Sequence, residues 1–571
     1  MFSVDKRTIA EFMKNYISDL TVEEIKDLIE IPPSDMVYSY ALPTFHLAKI
    51  EKKAPALIAQ DLSKEVELPE FLNNIEAVGP YLNFKVKDFM ILENIYKSKD
   101  QYGIIREILN KKKEEKLRIV VEYPAPNTNK PLHLGHIRNM LIGSSISNIF
   151  KYKKHHVFEV NLYNDRGIHI CKSMLAYKLL GDNKNPDKKP DHFVGEYYVK
   201  FSELKDQDEE IIDDAQEMLK KWEEKDSEVR KLWKKLRNWA IKGFEETYKE
   251  LGITFDKIYY ESEYYWKGKQ LIIEGLKKEL FNKEEDGAII APLEEKFNLP
   301  NKVLLRSDGT SLYITQDIYL AFLKKNDFNY DKSIYVVGNE QKLYFKQLFA
   351  VLDMLGFEED KYHFSYGMIY LPEGKMKSRE GNVVDADDLI EEVKRLAYDE
   401  VDNRYDNLSE KEKDKRARII GMAALKFFIL KMSPKTEFVF YPKESISFEG
   451  ETGPYVQYVY ARIESIIRKS ERKITLTINQ GIFQDNTELK LIKQLNYFPE
   501  IIDTVAKNYD IHLIPQYLLT LCQVFNSFYS SCPVIQEDKE LEDARLLLIR
   551  CVQIVIKQGL KLLGIETLEE M

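Results

Sequence analysis

His133 and His136 flank Leu134-Gly135 just downstream of an apolar run and a proline-rich turn, in VVEYPAPNTNKPLHLGHIRNMLIG over residues 120–143. At a spacing of three, both imidazoles lie on one helical face and can donate to the same polyphosphate. A helix that starts there also turns its free N–H groups and the positive end of its dipole toward an anion, and Gly135 has no Cβ to hold a ligand off the backbone. A second loop, Gly374-Lys375-Met376-Lys377-Ser378-Arg379-Glu380-Gly381-Asn382, sets cations among small polar residues. That composition suits a loop closing on a pyrophosphate leaving group.

These side chains need elements to hold them. A strand is expected over Leu117–Val121. Pro124 and Pro126 then keep the turn extended, so that a helix can begin only after Pro131, near His133. Further strand candidates at 156 to 162, 333 to 338 and 363 to 371 alternate with helical stretches, which predicts an α/β fold with a doubly wound parallel sheet. An amphipathic N-terminal helix and the alternating segment Tyr81–Val86 predict a separate α+β domain over 1–112, closed by the charge run Lys111 to Lys116. The core is expected over 113–440 with a helical insertion near 190–300, in which 196–250 suits an amphipathic hairpin. Beyond 440 the strand signals fade, and apolar residues recur at helical spacing in Val456 to Arg468 and Ala544 to Leu563. An all-α bundle over 441–571 follows.

Composition narrows the function. The 571 residues carry 84 Lys and Arg against 94 Asp and Glu, a net charge of -10, which excludes a uniformly basic nucleic-acid coat and leaves only local patches for RNA. Cys171, Cys522, Cys532 and Cys551 form no CxxC pair, so no metal site is expected and a reducing compartment is favoured. No run of about 18 apolar residues occurs, and a soluble cytoplasmic protein without membrane contact is expected.

The HLGH segment resembles the HIGH signature of class I aminoacyl-tRNA synthetases, and its surroundings resemble the arginyl-tRNA synthetase family. Lys130-Pro131-Leu132-His133-Leu134-Gly135-His136 matches that family's K-P-x-H-x-G-H arrangement. The loop at 374–382 resembles the KMSKS signature in degenerate form: Lys375 and Met376 fit, Ser378 stands where the second lysine usually lies, and Arg379 is one place late. Departure of pyrophosphate develops negative charge that a fixed cation must meet, and the resemblance makes Lys130 the replacement for the missing lysine. YNDRGIHICKSM over 163–174 is nearly a fingerprint of the family. Asn164, Asp165 and Arg166 there either order the turn or meet the acceptor end of tRNA, and the structural role is favoured.

The resemblance implies a Rossmann-type catalytic core and a set of site residues. Lys130, His133, His136 and Lys375 are the expected catalytic residues. ATP is expected at His133, Gly135, His136, Gly338, Met368, Lys375, Ser378 and Arg379. A guanidinium offers five donors and calls for carboxylates placed for forked hydrogen bonds. Glu122 and Asp317 resemble the family positions that hold it, with Tyr313 on the helical face of Asp317, and Asn127 and Gln341 completing the arginine site. Ala125 stands where many members have serine. Segment 452–469 resembles the opening helix of the family's anticodon-binding domain, where Tyr455 and Tyr458 are candidates for stacking on tRNA bases. With Tyr460 they cannot all face one way, so some must be core. Phe45-His46-Leu47-Ala48 and Gly79–Phe84 resemble the N-terminal domain that approaches the tRNA elbow.

The implied function is arginine-tRNA ligase: L-arginine and ATP with Mg2+ give arginyl-adenylate and pyrophosphate, and the arginyl group passes to the 3′ end of tRNA(Arg). The resemblance also implies that tRNA must be bound before the adenylate forms. A monomer is expected. The competing expectation is a non-catalytic tRNA-binding paralogue of the same fold, against which His133, Gly135, His136, Lys130 and Asn127 argue.

Overall fold

The computed structural model describes residues 4–33, 36–104, 116–372, 384–405, 407–476, 478–479 and 481–571. The chain divides into two compact units, Lys112–Ile446, and Met1–Lys111 together with Ser447–Met571. In the first unit, Arg118–Glu122 (β1), His156–Tyr163 (β2), Lys257–Tyr260 (β3), Lys332–Gly338 (β4) and Asp360–Tyr366 (β5) form one sheet in the order β5-β4-β1-β2-β3. Every pairing in it is parallel. Central β1 is covered on both faces, with Ile119, Val120 and Val121 fully buried, which is why its sequence is a continuous β-branched run. From β1 the chain winds outward through β2 to β3, and from β4 it winds the other way to β5. The strand order therefore reverses between β1 and β4, where Tyr335 lies opposite Glu122. At such a reversal the carboxyl ends of the strands open a crevice for ligands.

Helix α1 (Leu134–Tyr152) leaves the β1 end with His133 as its N-cap in extended backbone, as the prolines dictate. Almost all of α1 is buried, and it lacks the polar stripe of a surface helix. At Gly143 a Cβ would stand 2.5 Å from the Tyr123 ring, so glycine there lets the helix lie against the residue that follows β1. Helix α2 (Tyr313–Phe328) leads into β4, α3 (Lys342–Met354) connects β4 to β5, and α4 (Ala386–Arg404) follows the second signature.

Three expectations change. The region 196–250 is not a hairpin but three helices, Pro190–Gln207, Ile211–Glu223 and Ser227–Leu251. Asp226 caps the third by accepting the N–H groups of Glu228 and Val229, which breaks what periodicity alone presents as a continuous pattern. The insertion is also not helical throughout. Its residues Lys257–Tyr260 become the edge strand β3, too short to stand out from its helical neighbours, and Asn282–Lys283, Ile289–Ala291 and Lys302–Leu305 form a small antiparallel sheet. The strand expected at 363 to 371 starts at Asp360 and stops at Tyr366, after which Ile369–Tyr370 pairs with Phe438–Val439.

The second unit joins the two ends of the sequence. Its N-terminal part holds an antiparallel sheet in which Tyr81–Val86 lies between Tyr40–Pro43 and Leu72–Val78. Its C-terminal part is the bundle Gly453–Ser470, Asn486–Asn496, Phe498–Asn508, Leu513–Ser531 and Lys539–Leu562. Lys493 donates to the carbonyls of Pro33 and Met36, and Tyr102 donates to that of Leu495, so direct hydrogen bonds tie the two parts together within this unit. Most of the charge run expected as a boundary, Lys111 to Lys116, lies outside the described residues. No helix among the described residues is long and apolar enough to cross a membrane.

Candidate active site

The first signature caps its own helix. The backbone N–H of His133 donates to Nδ1 of His136 at 3.1 Å, so the neutral His136 ring carries its proton on Nε2. The two imidazoles lie 3.7 Å apart between centroids. Burial, helped by the charge of Lys130, pushes His133 down to about 4. Burial, the His133 ring and Lys130 put His136 well below its ordinary value. Both histidines are therefore neutral donors at pH 7 in the ligand-free protein, rather than cations that neutralise phosphate. A Cβ on Gly135 would stand 3.0 Å from the His133 ring, so the glycine makes room first for that ring. Leu134, the first helical residue, has already given its N–H to the Val384 carbonyl at 2.9 Å, which leaves one fewer free donor than a bare helix end.

That bond also fixes the segment that follows the second signature. Lys375, Ser378 and Arg379 lie outside the described residues, but the segment that follows them is fixed: Asp385 bridges His133 in antiparallel fashion, and Ala386 donates to Leu132 at 3.0 Å. Residues 384–386, which follow the second loop, are thus laced to the first signature. Asp387 on α4 accepts from Lys189 at 2.6 Å and Thr247 at 2.9 Å, and lies 2.7 Å from His192. His192 loses by burial, yet its bond to Asp387 and the charges of Asp385 and Asp191 hold it above its ordinary value. Asp191, His192 and Asp387 have metal-ligand geometry, but the Lys189 ammonium sits among them and supplies the countercharge. The insertion also packs on Lys130-Pro131, where a Cβ on Gly195 would come 2.6 Å from Pro131 Cδ. Among the described residues no hydrogen bond or ion pair holds the Lys130 ammonium.

At the strand reversal Glu122 and Asp317 lie within electrostatic reach of each other. Glu122 ends β1, and its Oε2 is 2.6 Å from Nζ of Lys324. Burial pushes Asp317 up to about 7; the Tyr344 hydroxyl donating to it pulls down, the Glu122 charge pushes up, and Lys324 pulls down. Tyr344, not Tyr313, is the phenol bonded to Asp317. Tyr313 opens α2 and is 69% exposed, because the first residue of a helix that starts at the surface has nothing above it to pack on. Asn127 and Gln341 are exposed beside this crevice. Loop 124–128 is held by Asn164, whose Nδ2 donates to the Ala125 carbonyl at 2.9 Å and whose own carbonyl accepts from Thr128 at 3.2 Å. Ala125 has φ 56, a left-handed conformation costing about 1 kcal/mol for a residue with a Cβ.

Gly338 ends β4, at the ligand edge of the sheet. Met368 follows β5, and its carbonyl accepts from Arg138 at 3.0 Å and from Phe438 at 3.4 Å, so its oxygen is already engaged. Arg138 lies one turn into α1 and donates to the carbonyls of Gly367, Met368, Ser433, Pro434 and Thr436. It is 1% exposed, and burial lowers it to about 10. Sequence reasoning missed Arg138, Lys324 and Tyr344. A charged residue on an otherwise apolar helix face was the available signal for the first two.

In the 163–174 motif the side chains make intramolecular contacts. Asp165 is fully buried and accepts both the N–H and the hydroxyl of Ser262, while Arg166 stacks 4.0 Å over Tyr265 and pairs with Glu223. In the bundle Tyr460 is core, Tyr455 is half-buried and takes a bond from Asn526, and Tyr458 is exposed.

A family profile described as tRNA synthetases class I (R), catalytic domain, matches residues 102–441. Profiles of the arginyl tRNA synthetase N terminal domain and the DALR anticodon binding domain match residues 6–86 and 456–571. The chain is 44% identical over 567 residues to the arginine–tRNA ligase of Treponema denticola, spanning 95% of this chain and 94% of that protein. It is 42% identical over 561 residues to the arginine–tRNA ligase of Bacteroides thetaiotaomicron, spanning 93% of each. Among solved structures, Thermus thermophilus arginyl-tRNA synthetase superposes with a TM-score of 0.79 at 26% identity over 99% of both chains.

Proposed function

This chain belongs to the arginyl-tRNA synthetase family, and from that premise we propose how its own residues carry the arginine–tRNA ligase reaction. The activity is ATP-dependent formation of arginyl-adenylate followed by transfer of the arginyl group to tRNA(Arg). The arginine carboxylate attacks the α-phosphorus of ATP and pyrophosphate leaves; the 3′-terminal ribose hydroxyl of tRNA then attacks the arginyl carbonyl and AMP leaves. The observation that carries the assignment of residues is the electrostatic proximity of Glu122 and Asp317 at the β1/β4 reversal, at the foot of the strand that feeds the HLGH helix.

Glu122 and Asp317 hold the guanidinium, and exposed Asn127 and Gln341 orient the rest of the amino acid. Tyr313 lies over the pocket as a solvent-side cover. His133 and His136 direct neutral N–H groups at the phosphates, Gly135 allows their packing, and Gly338 and the N–H of Met368 receive the adenosine. Lys130, with Lys375, Ser378 and Arg379 of the second loop, meets the charge that develops on pyrophosphate. Mg2+ enters on the ATP phosphates as part of the substrate. Tyr458, and to a lesser extent Tyr455, stack on tRNA bases. The three domains of this reading are 1–112 at the tRNA elbow, 113–440 for catalysis and 441–571 for the anticodon. The protein works as a cytoplasmic monomer.

Pyrophosphate–ATP exchange tests this. Exchange should appear with arginine, and not with lysine, glutamine or cysteine, only when tRNA is present. Folded protein giving no exchange under any condition would make it a non-catalytic tRNA binder, and light scattering of the same sample checks the monomer.

A further inference from the structure

Lys324 is fully buried, yet none of the roles above uses it. It lies seven residues after Asp317 on α2, two turns along the same face. Its ammonium is 2.6 Å from Glu122 Oε2 and 4.0 Å from the centroid of the Tyr335 ring. A buried ion pair adds little stability over an apolar pair of similar volume, so its stability contribution does not account for it. We propose that Lys324 is the specificity-determining positioning residue of the arginine pocket, holding the Glu122 carboxylate in place and setting the pocket's charge to match one guanidinium. The inference rests on the arginine reading above.

The argument is one of charge. With arginine bound, ionised Glu122 and Asp317 bring two negative charges, and Lys324 cancels one. One net negative charge remains, which a single substrate cation completes. Without Lys324 the repulsion between the two carboxylates would go unopposed, and Asp317, which burial already raises, would hold its proton more tightly against the guanidinium. Other groups facing the site do not replace it. Tyr335 from β4, Tyr344 from α3, Tyr330 before β4 and Tyr264 from the insertion are phenols that burial holds protonated. Glu261 is another carboxyl raised by burial, and Arg166 is already paired with Glu223 and near Glu261 at 3.6 Å. Among the described residues, Lys324 is thus the cation placed to touch Glu122. It contacts the carboxylate and not the substrate, so it acts through Glu122.

Arginine-dependent exchange with tRNA present is measured for wild type, Lys324→Met, Lys324→Gln, Lys324→Arg, Glu122→Gln and Glu122→Gln/Lys324→Met, with near-ultraviolet circular dichroism to verify folding. Both neutral variants should raise KM for arginine about tenfold or more while KM for ATP stays within about twofold, since a charge-assisted contact is lost only on the arginine side. Lys324→Arg should recover most of that loss, and in the Glu122→Gln background Lys324→Met should add little. Unchanged KM for arginine in a folded neutral variant, or equal rises in both KM values, would overturn the proposal. So would failure of both neutral variants to fold, because the ammonium would then be a folding requirement. Wild type lacking arginine-dependent exchange would sink the arginine reading itself, a result separable from the variant outcomes.

Discussion

Arginine binding should expel a proton near neutrality. Burial holds the Asp317 carboxyl at about 7 in the empty pocket, and a guanidinium needs it ionised. The sign follows: protons compete with arginine, so affinity is low in acid, climbs through 7 and levels off above it. A group titrating there is ionised in roughly one molecule in eleven at about pH 6 and in roughly ten of eleven at about pH 8, so Kd should fall about tenfold across that window, about 1.4 kcal/mol. His133, at about 4, and His136, held well below its ordinary value by burial, stay neutral throughout and add no slope. Glu261 is also held near 7, and any fall in its value when the cation arrives adds to the release. Titration calorimetry of arginine at about pH 7 in two buffers of different ionisation enthalpy should report release of about half a proton or somewhat more. The empty pocket stores the same effect as a stability loss: a carboxyl raised by folding stabilises below its unfolded value and less as pH climbs through 7. Arginine should therefore raise Tm more at about pH 8 than at about pH 6. Asp317→Asn should flatten the profile. A Kd for arginine constant within about twofold over this range, with no proton released, would refute the claim that a half-buried Asp317 receives the guanidinium.

Three other perturbations probe the framework. Lys130→Ala should lower the rate of exchange by about a hundredfold with little change in KM for arginine, because its charge acts on the leaving group; steady-state exchange kinetics check it, and an unchanged rate would reassign the role. Arg138→Met removes the donor shared by five carbonyls and should cost roughly 3 kcal/mol of stability while raising KM for ATP, as read by urea unfolding and exchange; Arg138→Lys should not rescue it, having no fork. Gly195→Ala forces a methyl to 2.6 Å from Pro131 and should cost about 1–3 kcal/mol by thermal unfolding, with a loss of exchange rate larger than that of a matched surface Ala substitution.

The sequence alone determined the features that repeat locally. The β-branched run 119–121, the prolines that delay the helix to His133, and the spacing of the two imidazoles are chemistry of adjacent residues, and the structure has them where those rules put them. Family resemblance, not periodicity, picked out Glu122 and Asp317, for a lone carboxylate has no local pattern that says pocket. Tertiary structure alone decided who meets whom. Tyr344 rather than Tyr313 bonds Asp317, and Lys324 faces Glu122 because parallel pairing of β4 with β1 brings α2 over the crevice. Asp385 comes to His133 across more than two hundred intervening residues, and Lys493 reaches the carbonyls of Pro33 and Met36. The physical reason is that hydrophobic periodicity and turn chemistry act over a few residues. A long-range contact is settled only when buried polar groups, each costly if left alone, find their partners in the packed chain.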